Sequence, residues 1–384
     1  MTITVPSAPV LRLGFIGGAI SSAVGYTHWV ASQLDDRWRL VSGCFSRDSA
    51  TSAETGRAWH LPPDNVYSDW KDYVAKEENN LDAIAVLTPT PDHVDIVCAL
   101  LEAGIPVICE KAMVATLAQS GRVRRTLERS KGFLAVTFNY SGYPLVRDLR
   151  RHVQEGTLGK LKQIRAEMPS DAFIQPPEKM HPQAWRLKDG EIPTILLDLA
   201  VHVHHLTAFL TGLKPIAVNA DFHHFSIFEG IVDDASIWVK YENDFRASFW
   251  VSKTALGYRN GLKLRLFGDR ASAEWVQERP EYLHIYRKDS TRVTYDRGNA
   301  VHGDEIRERF KPGHPAGFIE AFANLYADIA DALIQYRVEG KYRSSYVYGW
   351  EHANEGLALL AAASRANRQR SWISLKTDAV SFST

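Results

Sequence analysis

The 384-residue chain has only three cysteines, Cys44, Cys98 and Cys109, with no Cys-x-x-Cys pair among them. An odd count without a spacing framework argues against a disulfide scaffold or a thiolate zinc site, and for a reducing compartment. Net charge is missing too: 45 Lys and Arg balance 45 Asp and Glu. The chain therefore has no global basic field to hold nucleic acid or an anionic bilayer. No apolar run approaches the roughly 18 residues that a membrane helix needs. The opening MTITVPSAPVLRLGFIGG has no basic segment followed by a long apolar core, so it does not read as a secretory leader. These absences predict a cytoplasmic protein with no nucleic-acid or membrane partner. Tandem repeats, low-complexity tracts and long linkers are absent as well.

What is present is an ordinary globular composition, 45% hydrophobic and 23% charged, on a chain long enough for two domains. The first third alternates apolar strands with helical stretches. LRLGFIG, RWRLVSGCFS, LDAIAVLT, IPVICEK and FLAVTFNY read as strands, with AVGYTHWVASQL, DHVDIVCALLEAG and Thr116–Arg129 among the helices between them. Buried strands separated by helices predict a doubly wound parallel sheet, an α/β Rossmann domain over residues 1–139. After about residue 140 the period changes to two. KLKQIRAEM, IAVNADFHHFSIF, DDASIWVKYEN, FRASFWVSKT, LKLRLFGD, ASAEWVQ and YLHIYR predict an α+β domain, residues 140–384, built on a large open antiparallel sheet. Two amphipathic helices near the C-terminus, AGFIEAFANLYADIADALIQYRVEG and EHANEGLALLAAASRANRQ, could pack back on the first domain.

Doubly wound sheets bind ligands at the carboxyl ends of their strands. Here those ends carry Gly17–Ser22, Ser46–Arg47, Thr88–Pro91, Glu110–Lys111 and Asn139–Tyr140. Small residues after the first strand let backbone N–H groups approach a pyrophosphate. The turn reads Gly17-Gly18-Ala19-Ile20-Ser21-Ser22, with Gly25 beyond, so Ala19 and Ser22 stand where the second and third fingerprint glycines belong. A plain tight turn is the competing reading. The second strand ends in CFSRDS. Ser46 and Arg47 suit a 2′-phosphate, and Asp48 lies late for a ribose hydroxyl, so the cofactor is NAD or NADP with a slight lean to NADP.

DLAVHVHHL places Asp198, His202, His204 and His205 in nine residues. At about 100° per residue, Asp198, His202 and His205 share one helical face and His204 turns away. The face suits acid/base work, with Asp198 one turn before His202 to orient it. A metal held by Asp198, His202 and His205 is the competing reading. It lacks a thiolate cluster, and no metal is assigned. His204, His223 and His224 read mainly as structural residues, and His181 and His314 as loop residues beside prolines.

GFIGG, LTPTPDH, VICEKAM, FNYSGYP and DLAVH follow one another in this order, and NYSGYPLVR, AWR and PGHPAGFIEAFANLYAD accompany them. In these motifs the chain resembles the Gfo/Idh/MocA oxidoreductases over nearly its whole length. The resemblance implies an NAD(P)-dependent dehydrogenase that interconverts a ring hydroxyl and a ketone on a sugar, sugar derivative or cyclitol, as in inositol dehydrogenase-like members. It also implies a homodimer or homotetramer. The family's E-K-P motif falls on Glu110-Lys111-Ala112, and its D-x-x-x-H motif on Asp198 and His202. The expected catalytic residues are Lys111, His202 and Asp198. Expected at the cofactor are Gly17, Gly18, Ala19, Ile20, Ser21, Ser22, Ser46, Arg47, Thr88, Pro89, Thr90, His93, Glu110, Lys111 and Asn139. Expected at the substrate are Tyr140, Tyr143, Trp185, Arg186 and His205. For Tyr143, Trp185 and Arg186 the alternative is a filled interface with a surface pair. Ala19, Ala112 and His205 depart from the family pattern. They keep open a nucleotide-binding regulatory or catalytically weakened protein, or net non-redox chemistry with a retained cofactor.

Overall fold

The structure is a computed structural model that describes residues 9–77, 79–299 and 309–375. Residues 1–8, at the start of the stretch read above for a leader, lie outside the described residues. In chain order the first elements are β1 (Leu11–Gly17), α1 (Gly25–Gln33), β2 (Trp38–Cys44), α2 (Ser49–Ala58), α3 (Trp70–Glu77) and β3 (Ala83–Leu87). Then follow α4 (His93–Glu102), β4 (Val107–Cys109), α5 (Leu117–Ser130) and β5 (Leu134–Val136). The later elements are α6 (Pro144–Gln154), β6 (Leu161–Pro169), α7 (Val201–Thr211), β7 (Pro215–His223), β8 (Asp234–Tyr241) and β9 (Arg246–Ser252). The chain continues through β10 (Lys263–Gly268), β11 (Ala271–Val276), β12 (Leu283–Arg287), β13 (Arg292–Tyr295), α8 (Phe318–Glu339), α9 (Trp350–Gln369) and β14 (Ile373–Ser374).

The chain forms two compact units that are not continuous in sequence. One joins Met1–Val114, Ala118–Gly142 and Gly317–Ala353, and the other joins Ala115–Leu117, Tyr143–Ala316 and Asn354–Thr384. The first unit thus takes in α8.

In the first unit five parallel strands lie in the order β2-β1-β3-β4-β5. All five residues of β3 are buried, as a strand covered on both faces requires. From β1 the chain steps out to β2 and then returns to β3 on the other side. The carboxyl ends of β1 and β3 therefore flank the point where strand order reverses, the usual ligand crevice of such sheets. Helix α8 helps cover the sheet: Phe322, Leu325, Tyr326, Ile329 and Leu333 join Leu13, Phe15 and Trp38 in one buried cluster.

In the second unit nine strands run β13-β12-β11-β10-β6-β9-β8-β7-β14. The sheet is largely antiparallel, but β6 and β9 pair in parallel. Alternation along β8 buries Ala235, Ile237, Val239 and Tyr241 and leaves Trp238 exposed on the other face. Two short strands, β13 and β14, extend the sheet beyond the sequence expectation. Helix α6 was also missed there. Pro144 occupies its first turn, where a missing N–H costs nothing, and Leu145, Val146 and Leu149 bury one stripe. Among the described residues no helix is long and apolar enough to cross a membrane.

Leu149 is fully buried on α6. Leu149→Ala should destabilise the protein by about 2–5 kcal/mol through lost burial and a residual cavity. Thermal and denaturant unfolding measure the loss, and an unchanged midpoint would contradict the packing described.

Candidate functional site

Backbone conformation shapes the nucleotide end of the first unit. Gly17 and Gly18 have φ of 83° and 75°, a region that other residues enter only with strain. A Cβ on Gly17 would lie 2.7 Å from the Thr88 nitrogen, so β1 and β3 end in close contact. Helix α1 starts only at Gly25, where a Cβ would fall 1.9 Å from the Gly18 carbonyl oxygen. The close turn-to-helix approach that the fingerprint assigns to its third glycine therefore falls on Gly25. Ser22 instead donates its backbone N–H to the Ala19 carbonyl at 2.7 Å. Ala19 is buried, while Ile20 and Ser21 are exposed and the Ile20 N–H donates to Thr55 Oγ1. Helix α1 has no acidic residue in its first turn to oppose an anion at its N-terminus.

Beyond β2, Asp48 caps α2 by accepting from the Thr51 N–H at 2.9 Å and the Thr51 hydroxyl. The Thr51 hydroxyl, then its N–H, hold this exposed carboxyl below its ordinary pKa. Ser46 Oγ accepts from the Asp48 N–H at 3.1 Å, and Arg47 is exposed with no ion pair among the described residues.

Two polar atoms at strand ends lack partners. Thr88 Oγ1, just after β3, and Asn139 Nδ2, three residues after β5, are buried without a hydrogen bond among the described residues. Buried polar groups are rarely left so, and a polar ligand bound there would supply what is missing. Pro89 and Thr90 continue the turn after Thr88, with Thr90 buried.

The Lys111 turn is held from two sides. Glu110 is buried and accepts from His28 Nε2 at 3.1 Å and from the Thr137 hydroxyl. His28 Nδ1 lies 2.7 Å from the Tyr326 hydroxyl. With Glu110 ionised, His28 donates to it from Nε2. Burial pushes the Glu110 carboxyl up, but the His28 hydrogen bond, the His28 and Lys111 charges and the Thr137 hydroxyl outweigh it, so its pKa lies below the ordinary value. On the other side His93 is fully buried. Its Nε2 lies 2.8 Å from the Thr88 carbonyl oxygen, and its Nδ1 lies 3.0 and 3.2 Å from the carbonyls of Ala112 and Met113. Burial lowers its pKa against the pull of these carbonyls and the Glu110 charge. Expected at the cofactor, His93 is instead buried between the Thr88 carbonyl and those of Ala112 and Met113, and as a neutral ring it donates to one side only. The Lys111–Ala112 peptide is cis. Tyr140 is buried, with its ring 6.1 Å from that of Phe318.

In the second unit Asp198 lies in a π-helical turn, Leu196–Ala200, that runs into α7. The wider turn breaks the 100° phase, so regular helical spacing does not carry from Asp198 to His202. Asp198 Oδ2 accepts from Lys253 Nζ at 2.6 Å and also meets Arg186 Nη1. Arg186 lies 4.5 Å over the Trp185 ring, and Trp185 Nε1 donates to Gln183 Oε1 at 3.0 Å. His202 is buried at 3% exposure. His205, expected at the substrate, is fully buried against Phe209, ring centroids 6.0 Å apart, and in this conformation has no surface to offer a ligand. His204 turns to a different neighbour, with Nδ1 3.3 Å from the Tyr241 hydroxyl. Tyr143, also expected at the substrate, is buried against Trp275 at 5.1 Å, and its hydroxyl accepts from Gln277 at 3.5 Å. His223 and His224 pair with Asp221 and Asp233, while His181 and His314 are exposed. Lys253 was not among the sequence candidates. Its 55-residue separation from Asp198 leaves no local signal. No group of three or more His, Cys, Asp or Glu suited to a metal occurs among the described residues.

Two family models match: an oxidoreductase family, NAD-binding Rossmann fold, over residues 11–138, and the GFO/IDH/MocA C-terminal domain over residues 146–274. The chain belongs to the Gfo/Idh/MocA oxidoreductases. This oxidoreductase is 26% identical to an uncharacterized oxidoreductase, YfiI, of Bacillus subtilis (strain 168), over 95% of this chain and 97% of the relative. Its structure resembles an inositol dehydrogenase homolog complexed with NADH and myo-inositol from Azotobacter vinelandii, with TM-score 0.88, 25% identity and coverage of 97% and 99% of the two chains. It is also 27% identical over 211 residues to levoglucosan dehydrogenase of Pseudarthrobacter phenanthrenivorans (strain DSM 18606 / JCM 16027 / LMG 23796 / Sphe3). That match takes in 54% of this chain and about half, 51%, of the relative's length. The glycine turn, with its close approach at Gly25, and the two unpartnered atoms fit the nicotinamide dinucleotide that the family implies.

Two outcomes test this geometry. Gly25→Ala should raise the Kd for NAD(H) by about tenfold or more, because the methyl displaces the Gly18 carbonyl from the pyrophosphate turn. Fluorescence titration reads it, with circular dichroism as the folding control, and unchanged affinity would contradict the assignment. Glu110, whose native pKa is lowered, contributes stability above its unfolded value of about 4.3 that is lost as pH falls through the native one. Glu110→Gln should therefore flatten the acid limb of the stability profile, and an unaltered limb would contradict it.

Proposed function

We propose that this oxidoreductase interconverts a ring hydroxyl and a ketone on a sugar, sugar derivative or cyclitol, using NAD or NADP. The observation that carries the reading is the pair of unpartnered buried atoms, Thr88 Oγ1 and Asn139 Nδ2, at the strand ends that flank the Lys111 turn. The inositol and levoglucosan dehydrogenases among its relatives support the substrate class. When bound, the cofactor supplies the hydride acceptor. The glycine turn and Gly25 would hold its pyrophosphate, with Thr88 and Asn139 donating or accepting along its length.

Removing a hydride from a carbinol also requires a base for the hydroxyl proton. Lys111 and His202 are the residues proposed to handle that proton. Glu110 and His93 hold the turn that carries Lys111, so its amino group has a fixed stem. Asp198, fixed by Lys253, supports the helix start that carries His202. Exposed Arg47, and Asp48 spent on the cap of α2, support NADP over NAD.

Titrating both cofactors and then screening cyclitols, free sugars, glycosides and sugar acids tests the reading. Turnover with an identified substrate should fall by about 10²–10⁴ in Lys111→Ala and His202→Ala while cofactor affinity is kept. Full turnover in both variants would overturn the assigned roles. Cofactor binding without turnover across the panel would favour the regulatory alternative.

A further inference from the structure

Two cations converge on a single carboxylate oxygen in the second unit. Lys253 Nζ and Arg186 Nη1 both meet Asp198 Oδ2, and the three side chains are 13%, 23% and 10% exposed. Backbone geometry holds Lys253 on both sides: its N–H donates to the Asp233 carbonyl and its own carbonyl accepts from the Phe173 N–H, each at 2.8 Å. Asp233 is itself fixed, its carboxylate accepting from the Phe225 and Ser226 N–H groups at 2.9 Å each. Lys253 Nζ also lies 5.5 Å over the Phe173 ring, a position that limits its hydration. Arg186 is braced by the Trp185 ring and by Gln183, which accepts from its Nε at 3.3 Å.

One carboxylate balances one of these charges, so the trio carries a formal charge of +1. Holding a cation in excess of its carboxylate partner largely out of water is costly, and an added anion lowers that cost. Lys253 has three N–H donors and Arg186 five, more than Asp198 Oδ2 can accept, and a guanidinium presents its donors as a fork that matches carboxylate or phosphate.

We propose that Arg186 and Lys253 form an anion-recognising subsite, so that the preferred substrate is a polyol bearing a carboxylate or phosphate group. The inference rests on the dehydrogenase reading above for turnover, but not for binding. Lys253 is the specificity-determining residue that the sequence did not reveal. Asp198 holds the two cations together and oriented when no anion is present.

The test compares aldonates and uronates, sugar phosphates, and uncharged analogues of matching hydroxyl stereochemistry, using wild type, Lys253→Met and Lys253→Arg. An anionic arm should exceed the uncharged one in kcat/KM by about tenfold or more, and Lys253→Met should remove that advantage through KM. Lys253→Arg, which restores the charge, should recover most of it. The arm that responds distinguishes carboxylate from phosphate. Preference for uncharged analogues, or an equal loss on both classes in Lys253→Met, would overturn the proposal. If no compound is turned over, the dehydrogenase reading fails, and calorimetry with the same anions still decides the subsite. Anion binding that weakens in Lys253→Met upholds it, and no binding to wild type overturns it.

Discussion

The buried carboxylate of Glu110 is the constraint on which the first unit depends. An ion taken out of water costs several kcal/mol unless hydrogen bonds replace its hydration. Here His28 from α1 and Thr137 from beyond β5 provide them, and His28 in turn contacts Tyr326 of α8. One charge at the end of β4 therefore ties two strand ends and two helices together. The same tie sets the stem of Lys111, the next residue. His93 completes the hold by linking the Thr88 turn to Ala112 and Met113. The turn that carries the candidate proton carrier is thus rigid, as a site that must hold a reacting hydroxyl in register requires.

The second unit solves a related problem with charge of the other sign. Its nine-stranded sheet buries one face by simple alternation, and the helices that carry candidate residues are drawn from the covering layer. On that layer Asp198 is not a lone carboxylate beside a histidine. It is the ion-pair partner of two cations, one from the short turn Ala184–Leu187 and one from the residue after β9. A carboxylate so engaged is held in orientation, and the surplus of positive charge is the proposed recognition element.

Much of this was legible in the sequence. Period-two and helical patterns gave the parallel and antiparallel sheets, because burial on both faces or on one leaves different apolar runs. The strand ends pointed to the residues proposed to hold the nucleotide, because ligand sites of doubly wound sheets lie there. What escaped has a physical reason in each case. Spacing assigned the third glycine role to position 22, but only Gly25 makes the close approach, since the turn is longer than the fingerprint allows. Helical phase linked Asp198 to His202 as if the helix were regular, and a π turn lies there. His93 was expected at the cofactor through the family resemblance, whereas the atoms its ring meets are carbonyls 5 to 20 residues away. Lys253 meets Asp198 only through the fold.

The unpartnered atoms at the ends of β3 and β5 are proposed to belong to a nicotinamide cofactor's cradle. An experimental structure of the complex with NAD(H) or NADP(H) tests it most directly. The account predicts Thr88 Oγ1 and Asn139 Nδ2 within about 2.7–3.2 Å of cofactor polar atoms, with the pyrophosphate against the turn from Gly17 to Gly25. A cofactor seated elsewhere, or one that leaves both atoms without a hydrogen bond, would contradict it.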